Sequence, residues 1–557
     1  MKGITSSAWQ KLWRSHDQTK GVLSFFSPKK NLSAATKNTP SSGAQQGSEQ
    51  PVNRGAGESK SYSSVQLLGL ILGPLSFIIT IFFLSPEGMS PEEKSVLAVT
   101  LWVAIWWVTE AIPIPVTSLI PIFLLPLTGA MDANTVTSAY GNDIIFLFLG
   151  GFFIATAMEK WNLHKRLALA IIAFIGTGTQ SILLGFMAAT AFLSMWVSNT
   201  AAVMMMIPMG LAITAQVAAA LKGKPEESEL PKFEKALIFG IGYAGTIGGL
   251  GTLIGTPPNI ILAAQVKELF DIEISFASWM MVAVPIVIVM LFSTWLYLGR
   301  FAFKMNIKGL PGGKEVIQEE RTALGKTSFE EKAVGVVFTF AAFMWITREF
   351  LWLDIFPGLK DGMIAIFATA LLFVIPTSKK FGTRILSWDD SKEIPWGVLL
   401  LFGGGLAIAA AFRVTGLSEW IGSQLTGLEG LHVFVIIALS TLLVLALTEF
   451  TSNTATATMI LPVLAALALT MNIHPYALMV PAAMAANCAF MLPVGTPPNA
   501  IIFATNRLSL VEMMRVGFII NVFVLILIIL AAYYLLPLLW GFNLQVVPQE
   551  FFTSFNK

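Results

Sequence analysis

From Val516 to Trp540 the chain runs through twenty-five residues without one charged side chain. About 17–25 apolar residues are what a single helix needs to cross a bilayer. Such a run fixes the solvent before it fixes the fold, because in hydrocarbon every backbone N–H and C=O must be bonded internally. Comparable runs occupy Gln66–Leu84, Ser95–Val108, Ser278–Gly299, Glu331–Phe350 and Gly362–Ile375. The longer tracts Asp143–Ala220 and Pro395–Pro481 must each hold more than one pass. Composition agrees: 55% of the 557 residues are hydrophobic and 12% charged, against about 25% charged in soluble domains. The sequence predicts an all-α polytopic membrane protein with about eleven transmembrane helices plus re-entrant segments.

Charge sets the expected orientation. Nine Lys and Arg precede Gln66 (Lys2, Lys11, Arg14, Lys20, Lys29, Lys30, Lys37, Arg54 and Lys60), and the stretches Arg300–Lys332 and Ser378–Lys392 are also basic. Residues 85–94, 129–142 and 265–275 hold one, none and one. Basic residues collect on the cytoplasmic side of spans. The pattern predicts a multi-pass protein of the cell membrane with its N-terminus in the cytoplasm and its C-terminus outside. Residues 1–65, Ser-, Lys-, Gln- and Asn-rich, have no apolar secretory core and read as a disordered cytoplasmic tail; an organellar transit peptide is the rival reading. Cys488 is the one cysteine, and the histidines at 16, 164, 432 and 474 are scattered. Intramolecular disulfides are excluded, and neither Cys nor His suggests a metal cluster. Nor is there an HExxH, paired-Asp or Ser-Lys arrangement to suggest an enzyme, and no nucleic-acid partner is expected.

The chain repeats itself. "FLGGFFIATAMEKWNL" at Phe148 matches "FGGGLAIAAAFRVTGL" at Phe402, a displacement of 254 residues. "SNT" at Ser198–Thr200 returns with the same displacement at Ser452–Thr454. "GTPPN" at Gly255–Asn259 returns after 240 residues at Gly495–Asn499, and a polar insert at Lys222–Lys235 accounts for the difference. About five crossings separate the two Gly-rich helices, and an odd number inverts the second repeat. Inverted repeats with interrupted helices at matching places point to a secondary transporter with a midplane site. A channel does not call for that pairing.

Each motif suits the turn of a broken helix. Apolar Ile182–Val197 and Ala201–Pro208 flank the first SNT; each arm reads as too short to span alone, so the segment is expected to dip in and turn back. A break frees amides at one end and carbonyls at the other. Carbonyls, hydroxyls and the Asn amide oxygen are hard ligands for a small cation, while helix N-terminal amides suit a carboxylate. In GTPPN, Pro-Pro cannot continue a helix and the Gly accepts unusual backbone angles. The FLGG and FGGG helices read as close-packing surfaces. Neither motif holds Arg or Lys, so a dianion there would be neutralised by co-bound cations and helix dipoles, which predicts obligate cation coupling. Glu449 reads as a packed, satisfied carboxylate, with protonatable coupling as the alternative. Glu110, Asp143 and Arg348 are expected at the interface.

These residues, with "TEAIP" (Thr109–Pro113) and "YGNDIIFLFLGGF" (Tyr140–Phe152), resemble the divalent anion/sodium symporter family, most closely its bacterial sodium-dependent dicarboxylate symporters. The resemblance runs from about Leu67 to Leu539. It implies sodium-coupled symport of C4 dicarboxylates (succinate, malate, fumarate) by an elevator movement in a homodimer; a sodium-independent exchanger or a citrate- or sulfate-preferring member is the alternative. It implies scaffold helices at 66–142, a first inverted repeat at 143–303, a connector with scaffold helices at 304–394, a second inverted repeat at 395–540 and an extracellular tail at 541–557. It implies at least two Na+ sites: Ser194, Ser198, Asn199 and Gly255 for one; Thr448, Thr451, Asn453 and Gly495 for the other. The substrate would meet Ser198, Asn199, Thr200, Ser452, Asn453 and Thr454, with Thr496 and Pro497 lining the pocket. Ser194 and Thr448 each precede their SNT serine by four residues, one helical turn.

Overall fold

Four serines begin long helices by the same device. Ser63, Ser90, Ser328 and Ser509 each accept from the backbone N–H three residues on, and the Gln or Glu there accepts from the serine's own N–H. This reciprocal box satisfies amides that a helix start leaves open. The computed structural model describes residues 62–551, apart from residues 177, 305–312, 379–381 and 425–429. The tail to residue 61 and the basic residues 379 and 380 therefore lie outside the described part.

The principal helices are α1 (Ser64–Phe83), α2 (Pro91–Thr109), α3 (Asp143–Lys160), α4 (Leu163–Ile175), α5 (Thr179–Ser194), α6 (Asn199–Leu221), α7 (Leu230–Gly249), α8 (Pro257–Phe270) and α9 (Phe276–Leu296). After a connector come α10 (Phe329–Thr347), α11 (Asp361–Val374), α12 (Trp396–Thr415), α13 (Leu417–Gln424), α14 (Val433–Thr448), α15 (Asn453–Thr470), α16 (Pro475–Asn487), α17 (Pro497–Ala504) and α18 (Leu510–Leu530). Among the described residues there is no strand, only an isolated bridge between Pro376 and Arg384. Among the described residues, eight helical stretches are long and apolar enough to cross a membrane. The fold is that of an all-α polytopic membrane protein.

Seven helices recur in order. α3 to α6 correspond to α12 to α15, and α7 to α9 correspond to α16 to α18. Even the π-helical turns that follow α9 (Tyr297–Ala302) and α18 (Ala531–Leu535) match. The second set runs the opposite way: Lys160 at the end of α3 pairs with Asp390, just before α12 begins (2.7 Å). At the far end, Asp143 pairs with Lys360 (3.1 Å).

Within each repeat the SNT segment is a helix–turn–helix whose first arm is as short as expected and whose second arm is longer. α5 and α14 have 16 residues each, about 24 Å against the ~30 Å hydrocarbon core. α6 and α15 have 23 and 18 residues and qualify as spans. Pro208 and Pro462 lie inside these helices rather than ending them. A proline removes one backbone bond, and packed neighbours hold the helix on either side.

Burial orders the helices. Only 17% of the apolar stretch of α1 is buried, against 72% of α12. The Gly-rich helices pack as read: a Cβ on Gly150 would lie 2.6 Å from the Ala365 backbone, and one on Gly404 2.5 Å from Ser118 O. Arg348 corrects the sequence reading. It is 4% exposed and sits between Asp361 (2.8 Å) and Glu273 (2.6 Å), because a buried guanidinium is tolerable only when paired.

Candidate functional site

Four helices start at the centre of the molecule. α6 begins at Asn199 and α15 at Asn453, each following an SNT serine as N-cap. α8 and α17 begin at Pro257 and Pro497, where proline has no N–H to leave unbonded. Four N-terminal dipoles thus point at one region, a setting that favours an anion.

Behind each SNT tip, oxygens crowd together. The Ser194 hydroxyl lies 2.6 Å from Asn199 Oδ1 and 2.5 Å from Gly245 O. The Thr448 hydroxyl lies 2.7 Å from Asn453 Oδ1 and 2.5 Å from Ala486 O. A hydroxyl has one proton to donate, so one contact in each set is left oxygen to oxygen. Asn453 has two ways to resolve this. With its amide reversed, the nitrogen donates to Thr448 Oγ1 (2.7 Å), Ala486 O (3.2 Å) and Gly495 O (3.3 Å). With the oxygen inward, four oxygens converge, an arrangement that a small cation would stabilise. Glycine is required at the first tip, because a Cβ on Gly255 would collide with Gly249 O.

The breaks are held open by residues that the sequence reading did not single out. Asn259 Nδ2 donates to Gly249 O, Leu250 O and Thr252 O (3.1, 3.2 and 2.8 Å). Asn499 Nδ2 donates to Ala489 O and Leu492 O, both at 2.9 Å. The motif's last letter thus ties off carbonyls freed by its own break; its recurrence three residues after each Thr was the available signal. Glu449 is 4% exposed and accepts from the amides of Phe490, Met491 and Leu492 (2.9–3.2 Å) and from Asn521 Nδ2 (2.6 Å). It is the satisfied carboxylate.

In front of the tips lies a cavity of about 1300 Å³. All eight residues expected to meet substrate line it: Ser198, Asn199, Thr200, Ser452, Asn453, Thr454, Thr496 and Pro497. Gly255, Thr451 and Gly495 line it too, while Ser194 and Thr448 are fully buried behind. The Thr451 hydroxyl is bonded to Leu447 O (2.8 Å) and Thr456 Oγ1 (2.5 Å), so only its main chain is free to serve a cation. Among the described residues no Lys, Arg or His lines the cavity; its ionisable side chains there are Glu110, Glu159 and Glu393, at the ends of α2 and α3 and the approach to α12. Among the described residues, no group of three or more His, Cys, Asp or Glu could hold a metal ion.

A cavity walled by two inverted helix–turn–helix tips and two interrupted helices defines a membrane transporter. The chain belongs to the family described as the sodium:sulfate symporter transmembrane region, whose model matches residues 65–541, and the resemblance read from the motifs is borne out. It is a transporter and not an enzyme. It is 55% identical over 490 residues to the sodium-dependent dicarboxylate transporter SdcS of Staphylococcus saprophyticus, covering 87% of this chain and 94% of that one. With the protein of the same name from Staphylococcus aureus strain USA300 it shares 54% over the same extents. Its fold is similar to that of the Alcanivorax borkumensis YdaH transporter, with a TM-score of 0.51 at 14% identity, covering 86% of this chain and 98% of that one.

Proposed function

We propose that the protein couples the inward movement of Na+ to uptake of a C4 dicarboxylate such as succinate, malate or fumarate. The observation that carries this reading is a cavity with four helix N-termini and two oxygen-crowded niches but, among the described residues, no basic side chain on its wall. A dianion needs about two positive charges nearby to leave water cheaply, and here only bound cations can supply them. Ser194, Ser198, Asn199 and Gly255 would hold one Na+, and Thr448, Thr451, Asn453 and Gly495 the other. The carboxylates would be met by the SNT side chains of both tips, with Thr496 and Pro497 completing the wall. The names of the staphylococcal relatives support both the ion and the substrate class.

The proposal extends to movement. The two repeats, 143–303 and 395–540, carry the tips and interrupted helices and supply the mobile unit, while helices in 66–142 and 304–394 supply the scaffold of a homodimer. The cavity mouth, at Glu110, Glu159 and Glu393, lies on the face that holds the basic segments. In a cell membrane with the N-terminus inside, this is the inward-open state. On the opposite face Arg413 of α12 pairs with Glu268 of α8 (3.0 Å), a contact within the mobile unit that would travel with it in an elevator movement.

The test is uptake of labelled succinate into proteoliposomes with an inward sodium gradient, then with choline in place of sodium. Loss of uptake in choline is expected. Undiminished uptake would make the protein a sodium-independent exchanger, and uptake of citrate or sulfate in preference to succinate would reassign the substrate.

A further inference from the structure

Asn487 ends α16 in the second repeat, is 1% exposed and touches the cavity wall. Its side chain works on the other repeat. Asn487 Oδ1 accepts from the Thr256 hydroxyl (2.7 Å), next to Gly255, and Nδ2 donates to Thr246 O (2.9 Å), next to Gly245 whose carbonyl takes the Ser194 hydroxyl. A carbonyl can only accept, so the amide orientation is fixed by its partners. Its main chain faces its own repeat: Asn487 O lies 3.4 Å from the Asn453 amide and accepts from its nitrogen only when the Asn453 oxygen is turned into the niche, and the preceding Ala486 O takes the Thr448 hydroxyl.

The bridge has no mirror image. The residue 240 positions earlier is Ile247, which cannot donate or accept through its side chain. Thr256 gives its hydroxyl to Asn487 and makes no side-chain cap on α8, whereas Thr496 accepts from Asn499 N in the ordinary way (3.4 Å). One polar contact therefore joins the two niches, and it starts from the second.

A cation in the second niche would decide which way the Asn453 amide turns. With its oxygen turned to a cation, its nitrogen donates to Asn487 O. With the amide reversed, the nitrogen turns to Gly495 O, Ala486 O and Thr448 Oγ1 and leaves Asn487 O. Occupancy of the second niche thus sets whether Asn487 is held, and Asn487 sets the position of Thr256 and the main chain at Thr246 beside the first. We propose that Asn487 is the positioning residue that makes binding of the two cations cooperative. This rests on the reading of the niches as Na+ sites. Coupling of this kind is reciprocal and typically worth about 5–150-fold in affinity.

The experiment is a sodium titration of succinate uptake in proteoliposomes, with equilibrium sodium binding to the purified protein as a second readout. Wild type is expected to be sigmoidal with a Hill coefficient of about two, and Asn487→Leu and Thr256→Val each to fall to about one with half-saturating sodium raised about five-fold or more. Thr256→Ser keeps the hydroxyl and should restore the wild-type Hill coefficient. The double variant should be no worse than Asn487→Leu alone, since that change already removes the Thr256 contact along with the bond to Thr246 O. If Asn487→Leu does not fold, the Thr256 pair decides the matter alone. Unchanged Hill coefficients in folded variants of a sodium-dependent protein overturn the inference and leave the transport reading standing. A wild type indifferent to sodium overturns both.

Discussion

The two interrupted helices begin from the same GTPPN motif and solve the same problem differently. In the first repeat the amides of Leu250 and Gly251 bond to Ile247 O and Gly248 O (3.2 and 2.9 Å), so a tightened turn carries the chain past Gly249. Met195, facing that turn, needs only to fill space, and its side chain lies 2.9 Å from where a Cβ on Gly251 would be. In the second repeat the matching amides of Phe490 and Met491, with Leu492, point instead at Glu449, the residue 254 positions after Met195. One break closes on its own backbone and the other closes on a buried carboxylate. Duplication thus preserved the niche while letting its support diverge. The second half is held by charge and the first by turns, with Asn487 reaching from one to the other.

The comparison is broken most severely at the tips, where the repeats agree. Asn199→Ala and Asn453→Ala are each expected to lower sodium-dependent uptake by about 100-fold or more, because each removes a side-chain oxygen that would contact the cation and a polar group that would meet the substrate. Uptake is compared at matched surface expression; normal uptake in both would refute the pocket, and loss of expression would assign these residues to packing. Next come the hydroxyls behind the tips. Ser194→Ala and Thr448→Val should each raise half-saturating sodium about ten-fold, the equivalent of one contact of ~1.4 kcal/mol. A change in one but not the other would mean that only one niche holds an ion.

A third variant addresses the asymmetry itself. Glu449→Gln puts an amide NH2 among three backbone donors and should destabilise the purified protein by about 1–3 kcal/mol, read as a lower thermal midpoint. Met195→Glu should also destabilise, since Leu250 N and Gly251 N are already bonded. A neutral Glu449→Gln would show that the second break closes without its carboxylate. The smallest effect is expected on the outer face. Arg413→Gln cuts a partly exposed pair joining the two repeats, worth about 0.2–1 kcal/mol, so turnover at saturating sodium and succinate should change by less than about five-fold. A larger loss would mean that the mobile unit depends on this pair to keep its two repeats together.

Much of this was legible in the residues. The apolar runs named the solvent, and the spacings of 254 and 240 named the repeat, because helices in one membrane thickness keep their lengths when a segment is duplicated. The tips were legible because Ser, Asn and Thr have no business in hydrocarbon without a partner. The arm lengths were misread at Pro208 and Pro462, since proline ends a helix only where its neighbours let it. Arg348 was misread because a charge at a span's end looks the same whether it meets water or two carboxylates from other helices.

The sequence by itself determined the membrane, the helices, the duplicated motifs and the residues around one cavity, all of which follow from local composition and spacing. Only the tertiary structure decided that the Thr256 hydroxyl leaves its own helix for Asn487 and that Glu449 closes the second break. It also decided that no basic side chain of the described residues reaches the cavity wall. Those outcomes depend on which groups from distant segments arrive within about 3 Å of each other, and a buried polar group takes whichever partner packing brings it.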